Sequence, residues 1–109
     1  VIKVCLDFDG VLTSDPEAGR EFILECLGSG YKVMVNSWRC ENDFGVGVIE
    51  AWLREWLGPD DAERVSVPTT KPGADIYIDD KGFRFEGVYP SMEEIYELAE
   101  ESRRLSLGT

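Results

Sequence analysis

The chain is predicted to fold as an α/β protein on a mostly parallel sheet. Three observations carry this. Short apolar runs, such as Val4-Cys5-Leu6 and Val33-Met34-Val35, alternate with longer segments of helical period. Turn residues such as Gly28 and Gly58-Pro59 separate them. Two of the apolar runs end on acid, Asp7-Phe8-Asp9 and Asp79-Asp80.

The first strand is expected at about Val1 to Asp7, apolar enough to be covered on both faces. Gly10 to Gly19 reads as a loop, with turn residues Thr13-Ser14-Asp15-Pro16. A helix follows to about Leu27, with Phe22, Ile23, Cys26 and Leu27 as its apolar stripe and Gly28 as its stop. The second strand is Lys32 to Asn36. The second helix runs from about Phe44 to Leu57 and is apolar at Ile49, Trp52, Leu53, Trp56 and Leu57. Gly45 and Gly47 mark a loose start to it. Asp60-Asp61 reads as a solvated pair in the following loop. Short strands are expected at Val65 to Val67, Asp75 to Asp79 and Phe83 to Phe85. The last helix begins at Ser91, with Glu94 completing a capping box, and runs to about Leu105.

Bulk properties bound the function. The 109 residues suit one domain, 1–109, with a single core. No apolar run is long enough for a membrane span and no signal or transit segment is expected. The formal charge of −11 opposes non-specific nucleic-acid binding. Cys5, Cys26 and Cys40 are odd in number and lack CxxC spacing, so free thiols in a reducing, cytoplasmic setting are expected. Cys5 and Cys26 read as core, and Cys40 as a bystander near the site. The chain has no histidine. Catalysis therefore falls to carboxylates, lysine or a metal.

Right-handed crossovers bring the carboxyl ends of parallel strands to one edge, where ligands bind in open sheets. Asp7, Ser37 and Asp79 each close an expected strand. In extended backbone Asp7 and Asp9 project to one side and Phe8 to the other. With Asp79 and Asp80 they form a cluster that repels itself without a cation. Mg²⁺ suits such hard oxygen donors; Ca²⁺ also fits, but a twelve-residue calcium loop is absent. A carboxylate can attack phosphorus, and a second one, its pKa raised by crowding, can protonate the leaving oxygen.

At this point the residues match a pattern. Asp7-Phe8-Asp9-Gly10-Val11-Leu12 resembles the first motif of the haloacid dehalogenase superfamily of phosphohydrolases. Ser37 after Val33-Met34-Val35-Asn36 resembles the second, Lys71 in Lys71-Pro72-Gly73 the third, and Ile78-Asp79-Asp80 the fourth. The four occur in order across most of the chain. The resemblance implies a Rossmann-like three-layer sandwich and a Mg²⁺-dependent phosphatase working through an aspartyl-phosphate. It makes Asp7 the nucleophile and a metal ligand. It makes Asp9 the acid/base, with its main-chain carbonyl on the metal. Ser37 would bind the phosphoryl group and Lys71 its charge. Asp79 would hold the metal, with Asp80 a second ligand or only the start of a turn. The Asp7/Asp9 pair favours phosphoryl transfer over dehalogenation.

Bland readings stand beside these. Ser37 also suits a turn cap. Trp38 and Arg39 either flank the pocket as substrate-binding groups or serve as a core residue and a surface ion pair. The spacings Asp9 to Ser37 and Ser37 to Lys71 leave no room for a cap domain. The site is expected to be open, to a phosphorylated small molecule or a polymer end, or covered by a second copy in a homo-oligomer. Gly10 to Gly19 is the one local lid candidate. The alternative is a phosphoacceptor, metal-binding or interaction module without turnover.

Overall fold

The structure is a computed structural model and describes residues 1–79 and 83–107. Five strands are described: β1 (Lys3–Leu6), β2 (Lys32–Val35), β3 (Val65–Ser66), β4 (Ile76–Asp79) and β5 (Phe83–Arg84). They form one sheet in the order β3-β2-β1-β4-β5, and every pairing is parallel. Four α-helices accompany them: α1 (Pro16–Gly28), α2 (Asp43–Leu57), α3 (Pro59–Glu63) and α4 (Met92–Leu107). The α/β class and the parallel sheet agree with the sequence. Among the described residues no helix is long and apolar enough to cross a membrane.

Strand alternation sorts the two faces of the sheet. Val4 and Leu6 are in register with Val33 and Val35 on one side and with Ile76 and Ile78 on the other. These six join one buried cluster with Phe22, Ile23, Cys26 and Leu27 of α1, Ile49, Leu53 and Leu57 of α2, and Ile95 and Ala99 of α4. Phe8 also enters it and meets Trp52 edge to face at 5.7 Å. Truncating Leu6 or Ile78, both fully buried, to Ala would cost about 2–5 kcal/mol.

Cys5, Met34 and Tyr77 lie in register on the opposite face. There the connection between β3 and β4 crosses the strands. The Tyr77 hydroxyl donates to the Pro72 carbonyl at 2.6 Å and accepts from the Ala74 amide at 2.9 Å. Asn36 Nδ2 donates to the Pro68 carbonyl at 3.0 Å. Among the described residues this outer layer is irregular chain held by two side chains, where a three-layer sandwich would carry helix.

Three local readings are corrected. α1 begins at Pro16, not after Gly19, because Asp15 caps it by accepting from the Ala18 amide at 3.2 Å. Proline fits the first helical turn, so Asp15-Pro16 starts a helix. The lid candidate shrinks accordingly. Asp60 and Asp61 are not in a loop: Pro59 opens α3, and both carboxylates sit in its first turn, where the helix dipole favours them. Gly45 is a site of close approach: a Cβ there would lie 1.7 Å from the Arg39 carbonyl oxygen.

At the far end, Ser91 and Glu94 form the expected capping box, with amide bonds of 3.1 and 3.2 Å. Arg103 of α4 donates to Asp75 from Nε and a terminal nitrogen at 3.1 and 3.0 Å, and to the Val1 carbonyl at 2.9 Å. Asp75 also accepts from the Lys3 amide at 2.8 Å.

Candidate active site

The ladders continue past the strand ends and fix the site backbone. The Asp7 amide donates to the Ile78 carbonyl at 3.1 Å, and the Asn36 amide to the Leu6 carbonyl at 3.0 Å. By alternation Asp7 follows Cys5, Asn36 follows Met34 and Asp79 follows Tyr77, all on the face away from the apolar cluster. A shallow pocket of about 170 Å³ opens there, lined by Cys5, Asp7, Asn36, Ser37, Trp38, Lys71, Tyr77 and Asp79. The structure therefore brings together Asp7, Ser37, Lys71 and Asp79, with Trp38 at the rim. Larger hollows lie elsewhere. One of about 400 Å³ is lined by Glu21, Phe22, Glu25, Tyr89 and Glu94 among others, with no cation in its wall. Among the described residues, the strand-end pocket combines acids, a cation and a hydroxyl.

Asp7 is oriented by the Phe8 amide, which donates to its Oδ1 at 2.8 Å. The chain then turns at Asp9 (φ −70°, ψ 128°) and Gly10 (φ 78°, ψ −9°). These are the dihedrals of a type II turn, whose third residue needs the positive φ that glycine tolerates. Val11 and Leu12 return to the core.

The turn sets Asp9 beside the pocket. Ser37 Oγ donates to Asp9 Oδ2 at 3.2 Å, and Arg39 Nε donates to Oδ2 at 2.8 Å and Oδ1 at 3.1 Å. Arg39's partner is thus a site residue, Asp9. The hydrogen bond from Arg39 holds the Asp9 carboxyl below its usual range, helped by the guanidinium charge and Ser37 and opposed by burial. This overturns the expectation of a crowding-raised acid: a cation, not a second carboxylate, is Asp9's closest neighbour.

Ser37 both caps and reaches the site. Its Oγ accepts from the Arg39 amide at 3.3 Å, opening a single 3-10 turn over Trp38–Glu41. Cys40 closes that turn inside the core. Trp38 points outward, not into the core, and is 68% exposed. Lys71 Nζ lies 3.5 Å from Asp79 Oδ2 and 4.7 Å from the Tyr77 ring centroid. Cys5 beneath is a thiol: burial pushes it up to about 11 against the pull of Lys71.

Asp80 lies outside the described residues. Among those described, no three His, Cys, Asp or Glu side chains gather to enclose a metal. Mg²⁺ does not require three, since one or two carboxylates with water and phosphate oxygens suffice. Asp7 and Asp79 supply two hard donors on one pocket wall, so the donor set fits Mg²⁺ better than Ca²⁺, which takes six to eight oxygens. Asn36, Tyr77 and Gly45 were not anticipated. Tyr77 was legible as a same-face neighbour two residues before Asp79; the clash that requires Gly45 had no sequence signal.

No protein-family model matches this chain, and neither a curated protein nor a solved structure matches it. The superfamily resemblance accordingly rests on the motif residues and their order in the sequence.

Proposed function

We propose that this protein is a Mg²⁺-dependent phosphomonoester hydrolase, a small capless relative of the haloacid dehalogenase phosphatases. The observation that carries the reading is the pocket itself: Asp7, Ser37, Lys71 and Asp79, from four separate segments, line one wall at the carboxyl edge of a parallel sheet.

Asp7 attacks phosphorus, the ester P–O bond breaks, and the leaving oxygen departs with a proton. Water then releases phosphate and restores Asp7. Ser37 donates to a phosphoryl oxygen, and Lys71 neutralises charge on the group in transfer. Asp7 and Asp79 would hold Mg²⁺, which would supply positive charge to let one anion approach another. Asp9 serves as the proton carrier once Arg39 and Ser37 both let its carboxyl turn to the leaving oxygen: it gives that oxygen a proton and regains one from the attacking water. Purified protein should hydrolyse an activated aryl phosphate with Mg²⁺ and stop with chelator. Asp7→Asn should lower the rate at least about a thousandfold; full activity in that variant would sink the assignment.

One observation favours a second reading. Asp9 is engaged by Arg39 and held ionised, which suits a phosphoacceptor that loads Asp7 and unloads slowly. A long-lived phosphoprotein with little free phosphate would select that reading.

A further inference from the structure

Phosphoryl transfer leaves Trp38 without a task. It is 68% exposed, although large aromatic side chains ordinarily end up well covered. It also lines the same pocket as Asp7, Lys71 and Asp79. Its neighbour holds it: the Arg39 guanidinium carbon is 5.2 Å from the Trp38 ring centroid and 6.0 Å from that of Phe8. That guanidinium is itself fixed, with Nε 2.8 Å from Asp9. The turn carrying Trp38 is anchored on both sides by buried Ser37 and Cys40. An indole stacked on an immobilised cation is ordered before any ligand arrives, which lowers the entropic cost of using it.

A ring surface at the rim of a phosphate pocket rewards a substrate with a flat ring of its own. The pocket, at about 170 Å³, is small, which leaves the body of a substrate at the rim. The charge of −11 opposes a long polyanion. We propose that the substrate is a nucleoside monophosphate, with its phosphate among Asp7, Ser37 and Lys71 and its base stacked on Trp38. This rests on the pocket being the phosphoryl-transfer site. A glycerol phosphate or phosphoserine has no ring to lay on Trp38.

Adenosine 5′-monophosphate, glycerol 3-phosphate, phenyl phosphate and a 5′-phosphorylated oligonucleotide, assayed with Mg²⁺ on wild type, Trp38→Ala and Trp38→Phe, decide it. Trp38→Ala should lower the ratio of kcat/KM for adenosine monophosphate over glycerol phosphate about tenfold, through KM, and Trp38→Phe should keep most of that preference. An unchanged ratio overturns the proposal, as does wild-type preference for phenyl phosphate or the oligonucleotide over the mononucleotide. If wild type hydrolyses none of them, the hydrolase reading fails and equilibrium dialysis decides the platform separately. Adenosine monophosphate retained by wild type and released by Trp38→Ala supports it; absent or equal binding overturns it.

Discussion

Asp9 accepts from Ser37 and Arg39 at once, so its carboxylate has two donors and a counter-charge before any substrate is present. Removing either donor has separable effects. Ser37→Ala deletes the cap of the 3-10 turn and one bond to Asp9; it should cost about 1 kcal/mol in chemical denaturation and weaken phosphate binding. Arg39→Ala removes the main cause of the lowered Asp9 carboxyl. Its midpoint should then climb back toward the ordinary 3.8 in a carboxyl-carbon NMR titration; an unmoved midpoint would contradict the pairing. At this scale the sequence was half legible. Ser37 and Asp79 could be placed together because each closes a strand at one edge, whereas Lys71, in a connection, was singled out only by the motif resemblance. The Arg39–Asp9 pair spans 30 residues and depends on a rotamer, which spacing does not determine.

Among the elements, α2 starts against the turn that carries Trp38 and Arg39, and Gly45 is what allows it. Gly45→Ala places a Cβ within 1.7 Å of main chain that cannot rotate away. It should destabilise by about 3 kcal/mol or more, as severe overpacking does. Gly47→Ala, two residues on, meets nothing within 4 Å and should stabilise by about 1 kcal/mol, since alanine suits a helix interior better. Urea titrations of the pair test whether approach or propensity governs this helix start. Periodicity found α2 to within two residues because its apolar stripe is long, with the capping box placing α4 equally well. It missed α3 and the first turn of α1 because proline both ends and begins helices, and Pro16 and Pro59 begin them.

For the whole molecule, Asp75 links the entry to β4, the Lys3 amide and the last helix through Arg103. The hydrogen bond from Arg103 is the main reason that its carboxyl lies below 3.8. The folded carboxyl binds its proton less readily than the unfolded one. Its stabilisation is therefore present in full above 3.8 and fades as pH falls below it. Arg103→Ala should lower the melting temperature by a few degrees at about pH 7 and by less at a pH low enough to protonate Asp75 in both states. Equal losses at both values would assign the effect to packing. The parallel sheet followed from the alternation of strands and helices, but neither its strand order nor the irregular outer layer did. Residues 67–75 carry no periodicity, and their course is set by two side-chain hydrogen bonds reaching from β2 and β4.

One of those bonds has a reach beyond stability. The Tyr77 hydroxyl ties down the segment just after Lys71, and its ring lies beneath the Lys71 ammonium, while its own strand ends two residues later at Asp79. The cation and the acid it faces are thus two ends of one nine-residue clip closed by a single phenol. Transplanted onto another parallel sheet with an aspartate closing the neighbouring strand, it would carry half of the strand-end pocket with it.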